Sequence, residues 1–399
     1  MEQIIYLDNA STSFPKPDVV HDTVHDFYKT NGVNPGRSGC DLALRAERMI
    51  HETRRNLSAF FNKTRMESGG PDPNRLVFTL NATMSLNLVV NGTLRPGDHV
   101  VTTVLEHNSV IRPVNHKVRQ GVEATFVRPD AEGYLDPEDI RRAIQGNTRL
   151  VVVNHASNVT GSVQDLRAIG DVCRDEGVPF AVDSAQTAGV LPIDMTECNI
   201  SFLCFTGHKG LLGPTGTGGI CIADGAEIEG TFFGGTGILS AVPHQPEEYP
   251  HRLEAGTLNL AGIAGLFAGL EWMEEKGIDN IHRHEIELLR LLQEGLAEIP
   301  GVKIRGTRNL TDRVATLSVT VDGRDAKDVG GILDANYNIL TRAGLHCAPL
   351  IHDHHGTAPG GTVRFSVGPF NTPEHIEAAV RAMSEIAARH ASTCGARRN

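Results

Sequence analysis

The segment Ile200-Ser201-Phe202-Leu203-Cys204-Phe205 is an apolar run that ends in the polar turn Thr206-Gly207-His208-Lys209-Gly210. Such a run, followed by a glycine-containing turn, predicts a buried β-strand. A lysine just past a buried strand loses contact with water, which favours its neutral amine near pH 7. A neutral amine can form a Schiff base with an aldehyde. Taken alone, however, a lysine in a glycine-rich turn is most often an ordinary solvated residue.

Comparable apolar runs precede this one at 75–80, 99–103, 149–153 and 179–182 and alternate with segments of helical periodicity. This alternation predicts an α/β fold with βα units on a mostly parallel sheet. From residue 302 onward, strands and helices alternate in a pattern that predicts a smaller α+β domain. We expect the large domain to cover 16–262, the small domain 1–15 and 263–391, and a disordered tail 392–399.

Composition narrows the class of protein. The chain has 399 residues, a net charge of −11 and no basic stripe, which argues against a nucleic-acid-binding surface. No apolar run is long enough to span a bilayer, and the N-terminus lacks the features of a signal peptide. The seven cysteines include no CxxC pair, which argues against a disulfide framework or structural zinc. We therefore expect a cytoplasmic protein with free thiols.

Polar residues stand where the predicted strands end, and ligands bind at this edge of open α/β sheets. Asp183 follows the strand 179–182, where a carboxylate needs a partner such as a pyridinium N–H. The alternative for Asp183 is the N-cap of a helix. The turn Asn81-Ala82-Thr83 stands between a strand and a helix, so its free N–H groups can hold a phosphate. An ordinary N-cap in this turn is the alternative.

Together, Lys209, Asp183 and the Thr83 turn predict a site for pyridoxal phosphate. With these parts assembled, the chain resembles the class V aminotransferase family, and within it the cysteine desulfurases and selenocysteine lyases. The resemblance spans almost the whole chain and implies a fold type I architecture with a mostly parallel, seven-stranded type of sheet. Its motifs are Asp183-Ser184-Ala185-Gln186, Thr206-Gly207-His208-Lys209, Arg252-Leu253-Glu254-Ala255-Gly256-Thr257 and Arg342-Ala343-Gly344-Leu345-His346-Cys347.

The resemblance also implies roles for single residues. Lys209 is expected to form the Schiff base, and Thr257 to reach the phosphate of a neighbouring subunit in a homodimer with shared sites. The expected cofactor-binding residues are Ala82, Thr83, His107, Asp183, Gln186, Thr206, His208, Lys209 and Thr257; the expected substrate-binding residues are Asn158, Arg342 and Arg364; and the expected catalytic residues are Lys209, Cys347 and His107.

Cys347 decides which reaction the resemblance implies. Lys209 is expected to remove the α-proton of L-cysteine, and Cys347 to attack the substrate sulfur, which yields L-alanine and a persulfide for an acceptor protein. His346 is expected to favour the Cys347 thiolate. Three alternatives stay open, namely L-selenocysteine as the substrate, a class V reaction in which Cys347 is idle, and a non-catalytic sulfur-transfer scaffold that keeps the fold without turnover.

Two features depart from the family pattern. Leu345 stands where related loops more often carry a histidine, so this position supplies no side chain that could control the protonation of Cys347. The loop then continues into His352-Asp353-His354-His355. Adjacent positions in a loop seldom converge on one ion, so we expect a polar loop here rather than a metal site.

Overall fold

A computed structural model of the chain describes residues 4–35, 40–64, 66 and 70–395. Its strands are β1 (Ile5–Tyr6), β2 (Leu76–Thr79), β3 (His99–Thr103), β4 (Glu123–Val127), β5 (Thr148–Asn154), β6 (Phe180–Asp183), β7 (Phe202–Thr206), β8 (Gly218–Ile222), β9 (Val302–Arg305), β10 (Thr316–Val321), β11 (Ile339–Leu340), β12 (Arg342–Gly344) and β13 (Thr362–Ser366).

The helices pack on these strands. They are α1 (Asp18–Thr30), α2 (Asp41–Phe60), α3 (Ala82–Thr93), α4 (Asn108–Val118), α5 (Pro137–Ala143), α6 (Leu166–Asp175), α7 (Leu260–Lys276), α8 (Ile278–Ala297), α9 (Ala326–Tyr337), α10 (Pro349–His354) and α11 (Pro373–Gly395).

A seven-stranded sheet with the order β2-β8-β7-β6-β5-β3-β4 forms the centre of the larger unit. Every strand pair is parallel except those of β8, which is antiparallel to both β2 and β7. The central strands are buried on both faces because helices cover the sheet, and this explains their continuous apolar sequences. These findings confirm the predicted α/β class and mostly parallel sheet.

The smaller unit is built on an antiparallel sheet with the order β12-β13-β10-β9. Helices α8, α9 and α11 pack around a second hydrophobic core that includes Leu317, Val319 and Phe365. The N-terminal strand β1 pairs in parallel with β11, and Leu7 lies in the same core. Residues 5–7 therefore pack with the last third of the chain.

Helix α7 does not pack as the predicted domain boundary after residue 262 implies. Ile263, Leu266 and Leu270 lie in the core beneath the seven-stranded sheet, and α7 packs against α1 and α2. The almost continuous apolar sequence of α7 suits a helix buried on most of its surface. The helix that the sequence assigns to the small domain thus contacts the large one.

The C-terminal tail also differs from its prediction. Helix α11 continues to Gly395, so residues 392–395 are helical rather than disordered. No proline or glycine interrupts the sequence between Pro373 and Gly395, and nothing local ends the helix earlier. The remaining predicted tail, 396–399, lies outside the described residues.

Candidate active site

The strand ends converge on one edge of the seven-stranded sheet. Asn154 ends β5 and pairs with Asp183 at the end of β6, which in turn pairs with Cys204 of the neighbouring strand β7. Strand β2 runs in the same direction as β7 because both are antiparallel to β8. The start of α3, which follows β2, therefore lies at the same edge as Asp183 and Lys209.

A cavity of about 180 Å³ opens at this edge. It brings together most of the predicted site residues from separate parts of the sequence. Those that line it are Ala82, Thr83, His107, Asn158, Asp183, Gln186, Thr206, His208, Lys209, Arg342 and Arg364. Cys347 lines a neighbouring groove instead, and Thr257 is exposed and does not line the cavity of its own chain.

Lys209 and Asp183 have opposite charges in this cavity. The pKa of Lys209 is lowered to about 8, chiefly by burial; Asp183 opposes this effect, and Arg364 and Arg342 add to it. Burial raises the pKa of Asp183, against a hydrogen bond from Ala185 N to its Oδ1 at 2.9 Å. The turn after β6 is not helical, so the N-cap alternative for Asp183 fails.

His107 is the N-cap of α4, and its Nδ1 accepts a hydrogen bond from Ser109 N at 3.1 Å. Burial and the nearby cations Lys209, Arg342 and Arg112 lower the pKa of His107 to about 4. The ring is therefore neutral at pH 7, and this hydrogen bond assigns its proton to Nε2. A neutral ring carries no charge that would oppose a cationic group stacked on it.

The turn at the start of α3 contains both an N-cap and backbone N–H groups that can hold a phosphate, which the sequence offered as alternatives. Asn81 is its N-cap, with Oδ1 accepting a hydrogen bond from Met84 N at 3.0 Å. The N–H groups of Ala82 and Thr83 lie in the first turn, where a helix offers them no partner. Gly218 approaches this turn closely, since a Cβ there would lie 2.7 Å from Asn81 Cα. Because they lie in the first turn, the N–H groups of Ala82 and Thr83 can donate to an anion.

Arg364 is almost fully buried, at 1% exposure, and its guanidinium donates hydrogen bonds to three groups. Its Nη2 donates to Asp8 Oδ1 at 2.6 Å and to Ser11 Oγ at 2.8 Å, and its Nη1 donates to Asn158 O at 3.1 Å. Its Nε is buried without a partner among the described residues. A buried guanidinium of this kind suits a carboxylate ligand.

Cys347 lies at the second central position of a tight turn. Ala348 N donates to Leu345 O at 2.9 Å, and both His346 and Cys347 have positive φ, of 48° and 59°. This pattern is typical of a type I′ turn, which usually carries glycine or asparagine at such positions. Asn158 Nδ2 and Asn108 N hold the turn by donating to His346 O and Cys347 O, each at 2.7 Å.

The prediction that His346 favours the Cys347 thiolate is wrong. His346 is buried, its Nε2 is paired with Thr362 Oγ1 at 2.9 Å, and burial lowers its pKa to about 2. A neutral imidazole supplies no positive charge to a neighbouring sulfur. Instead, Arg342 Nη2 donates to Cys347 Sγ at 3.3 Å.

The remaining predicted residues differ in the hydrogen bonds that their polar atoms already make. Gln186 Nε2 donates to Ala10 O at 3.1 Å, and His208 Nδ1 lies 3.1 Å from Thr12 Oγ1. Thr206 Oγ1 donates a long hydrogen bond of 3.5 Å to Thr217 O. Asn158 uses one amide N–H for His346 O, so its second N–H is left for a ligand.

Sequence reasoning missed several residues that support the site. Ser11 Oγ accepts from both Arg342 and Arg364 and lies 2.8 Å from Asp8 Oδ1, so this N-terminal turn links the two arginines. The polar run after β1 was the available signal. Ser109 Oγ lies between His107 Nδ1, at 2.8 Å, and Asp183 Oδ2, at 3.5 Å.

A second buried carboxyl, Glu106, lies behind His107. Its Oε1 accepts from Thr103 Oγ1 at 2.7 Å and from Asn154 N at 3.0 Å, while its Oε2 has no partner among the described residues. Burial raises the pKa of Glu106 to about 8, so the carboxyl is largely protonated at pH 7. Nothing in the sequence distinguishes this glutamate from an exposed one.

The histidines near α10 do not converge. His352 is buried with Nδ1 2.8 Å from Thr357 Oγ1, whereas His354 Nε2 lies 3.3 Å from Asp130 O. Within 4–35, 40–64, 66 and 70–395, no group of three or more His, Cys, Asp or Glu side chains has the arrangement of a metal site. None of the helices in these ranges is both long and apolar enough to cross a bilayer.

Comparisons with known proteins agree on the family. The family model described as Aminotransferase class-V matches residues 5–379. A probable cysteine desulfurase of Methanothermobacter thermautotrophicus is 36% identical over 392 residues, which cover 96% of this chain and 94% of that protein. A probable cysteine desulfurase of Pyrococcus abyssi is 33% identical over 394 residues, with 96% and 94% covered.

Comparison with solved structures also finds cysteine desulfurases as similar proteins. The apo structure of a cysteine desulfurase from Thermococcus onnurineus NA1 aligns with a TM-score of 0.89 and 34% identity, covering 96% of this chain and 95% of that one. The cysteine desulfurase CsdA of Escherichia coli aligns with a TM-score of 0.84 and 28% identity, covering 96% and 94%. The match to the family model and the similarity to these proteins show that the chain belongs to the class V aminotransferase family.

Proposed function

We propose that this protein is a pyridoxal phosphate-dependent cysteine desulfurase, which converts L-cysteine to L-alanine and holds the sulfur as a persulfide on Cys347. The contact between Cys347 and Arg342 carries the proposal, because Arg342 also lines the cavity of Lys209 and Asp183. A nucleophilic thiol thus borders a site that contains an amine and a buried carboxylate. The relatives named above are cysteine desulfurases, which favours this activity over selenocysteine lyase.

The residues present fit the cofactor. Asp183 is a buried acid that lines the cavity, and a pyridinium N–H is a partner that would compensate its charge. The unpaired N–H groups of Ala82 and Thr83, with Thr206 and His208 nearby, suit the phosphate. Gln186 lines the cavity beside Asp183 and is the proposed partner of the ring hydroxyl.

Bound pyridoxal phosphate supplies an electron sink for the electrons left on the substrate α-carbon. The chain's own residues supply the rest. Lys209 Nζ is the proposed Schiff-base group and then the base that takes the α-proton, because a pKa of about 8 leaves roughly a tenth of it neutral at pH 7, far more than an ordinary lysine has. Arg364 and the second N–H of Asn158 are the proposed partners of the substrate carboxylate.

Cys347 is the proposed nucleophile toward the substrate sulfur. Arg342 Nη2 donates to its Sγ and stabilises negative charge there, which gives Arg342 a role beyond the substrate binding expected from the family. His107 lines the same cavity, and its neutral Nε2–H is the proposed proton donor within it.

Alanine release from L-cysteine in the presence of a thiol reductant tests the proposal. The wild type is expected to form alanine and a persulfide on Cys347, and Cys347→Ser to lose both. Cys198→Ala is the matched control, since Cys198 is half-buried like Cys347 but precedes β7, at the opposite edge of the sheet from Lys209. Alanine formation by Cys347→Ser at the wild-type rate would show that the thiol is idle.

A homodimer with shared sites is part of the proposal. Phe232, Phe233 and Leu239 are 52%, 66% and 54% exposed in the long connection between β8 and α7, and exposed apolar side chains of this size suit a subunit interface. Thr257 is exposed in the same connection and is the proposed phosphate ligand of the neighbouring subunit. Light scattering should give a dimer for the wild type and a monomer for Phe233→Asp.

The sulfur on Cys347 needs an acceptor, and the resemblance implies an acceptor protein. A thiol that cycles between thiolate and persulfide requires a reducing compartment, so we place the protein in the cytoplasm. Mass spectrometry of persulfide-loaded protein, purified anaerobically, checks whether Cys347 carries the extra sulfur in cells.

A further inference from the structure

A groove of about 360 Å³ lies on the outer side of Cys347, separate from the cavity of Lys209. One wall is α3, which contributes Thr83 and Asn87, and the other is α4, which contributes Asn108, Arg112 and His116. Each set is spaced by four residues, so each lies on a single face of its helix. Cys347 also lines this groove, which we call the acceptor groove.

The acceptor groove adjoins the inner cavity beside Cys347. Thr83, His107 and Ser109 line both, so the two spaces adjoin. Arg342 lines the inner cavity and donates to Cys347 Sγ, which belongs to the acceptor groove. A sulfur atom taken from a substrate in the cavity therefore reaches the groove side when it is bound to Cys347.

The acceptor groove is positively charged, whereas the protein as a whole is negatively charged. Arg112 is exposed and forms no ion pair with any residue in the described ranges, and none of the described residues that line the groove is acidic. The first turn of α4, beside Cys347, adds the partial positive charge of a helix N-terminus. The chain as a whole carries a net charge of −11. The groove is thus a local cationic site in an anionic protein.

We propose that the acceptor groove binds the thiol that removes sulfur from Cys347, and that this thiol is a small molecule with a carboxylate near its sulfur. The inference rests on the proposed desulfurase function and names the acceptor that it needs. The volume lies in the range of small-molecule sites, about 300–1,000 Å³. Pro113 is its single apolar side chain among the described lining residues, so the groove lacks the apolar anchors typical of a protein interface.

The transfer balances without a further reactant. The acceptor thiolate attacks the outer sulfur of the Cys347 persulfide and forms a new S–S bond. The bond between this sulfur and Cys347 Sγ breaks, and its electron pair leaves with Sγ as the Cys347 thiolate, which Arg342 stabilises. The products are the acceptor persulfide and the enzyme ready for another substrate.

A single-turnover measurement tests the inference. Holoenzyme is loaded with one equivalent of L-cysteine per site, so that no free cysteine remains to act as an acceptor, and is then desalted. It is mixed with 3-mercaptopropionate, 2-mercaptoethanol or cysteamine, which are small thiols of negative, neutral and positive charge. The fraction of Cys347 that still carries the persulfide is followed by alkylation and mass spectrometry. Each variant is compared with the wild type on the same thiol, so that differences in intrinsic thiol reactivity cancel.

Arg112→Gln is expected to slow transfer to 3-mercaptopropionate about two- to fivefold relative to transfer to 2-mercaptoethanol, as for an exposed ion pair. Arg112→Glu is expected to extend this loss to about tenfold and to speed transfer to cysteamine. Arg119→Gln removes the same charge from the end of α4, outside the acceptor groove, and should leave the ratios unchanged.

Rates that change equally for all three thiols in the Arg112 variants, or do not change, overturn the inference and direct attention to a protein acceptor. A wild type that forms no persulfide on Cys347 overturns the proposed function instead. The two failures are separated because loading is measured before any acceptor is added.

Discussion

Arg342 Nη2 lies 3.3 Å from Cys347 Sγ, and its Nη1 donates to Ser11 Oγ at 3.0 Å. The same Ser11 oxygen accepts a hydrogen bond from Arg364. One serine from the N-terminal turn therefore fixes the positions of two arginines, of which one contacts the nucleophile and the other lines the cavity. Four residues separate Arg342 from Cys347 in sequence, and the tight turn at Leu345–Ala348 folds the thiol back onto the guanidinium.

Arg342→Gln should slow alkylation of Cys347 by iodoacetamide at pH 7.5 by about three- to tenfold, because the thiolate loses a charge-assisted hydrogen bond. Arg342→Lys keeps the charge without the planar fork and should fall between the two. Arg381→Gln, an exposed arginine of α11, serves as the control. Equal alkylation rates in Arg342→Gln and the wild type would rule out this role.

Covalent attachment of pyridoxal phosphate to Lys209 should depend on pH with a midpoint near 8. Burial lowers the pKa of Lys209 to about 8, and the neutral amine is the reactive form, so the rate rises with pH below 8 and levels off above it. The apoprotein is mixed with the cofactor, trapped with borohydride, and the labelled peptide located by mass. Lys209→Ala gives the background. A rate that still rises steeply at pH 10 would mean that the lysine is not desolvated.

Glu285→Gln should stabilise the protein at pH 8 by about 2 kcal/mol and change its stability little at pH 5. Glu285 is 5% exposed in a small cavity between the two cores, forms no hydrogen bond or ion pair with the described residues, and has its pKa raised by burial to about 8. The stabilising effect of its protonation is complete below its ordinary pKa of 4.5 and is lost as the pH rises to about 8.

Denaturant melts of the wild type and Glu285→Gln across this pH range check the prediction. Exposed Glu274→Gln on α7 is the control, and it should shift stability by less than about 0.5 kcal/mol at either pH. A stability difference between wild type and Glu285→Gln that does not grow with pH would contradict it.

Glu254→Gln should destabilise the protein by about 3 kcal/mol, because it leaves a buried arginine without its counter-charge. Glu254 Oε2 lies 2.5 Å from Arg54 Nη2, and its Oε1 accepts from Phe78 N at 2.6 Å, with both side chains nearly inaccessible. This pair ties the segment that carries Thr257 to α2 and β2. Glu227→Gln, which breaks the more exposed pair with Arg252, should cost about 0–1 kcal/mol. Equal losses of unfolding free energy would refute the distinction.

The order of strands and helices was accessible from the sequence because each element has its own periodicity. The run at 149–153 became β5 (Thr148–Asn154), and the run at 99–103 became β3 (His99–Thr103). The place of α7 was not accessible, since a helix that is apolar on most faces does not indicate which core will bury it. The helical state of 392–395 was missed because polar residues near a terminus resemble a disordered tail.

The residues of the site likewise divide into those that the sequence identified and those that only the structure identified. Lys209, Asp183 and the Thr83 turn were recognised because strand ends and helix starts mark them locally. The partners of Cys347 were not, since the neighbour in sequence, His346, turns its ring to Thr362 and stays neutral, whereas Arg342 reaches the sulfur. Sequence proximity does not determine which side chain a tight turn presents to the thiol.

By itself, the sequence determined the α/β class, the family and the residues at the strand ends, because these depend on periodicity and motifs within short segments. Only the tertiary structure decided that Ser11 links Arg342 and Arg364, that Glu285 and Glu106 are buried acids, and that Cys347 lines a groove beside the cavity. These relationships join residues far apart in the chain. Their charges and contacts are set by burial and by neighbours that only folding brings together.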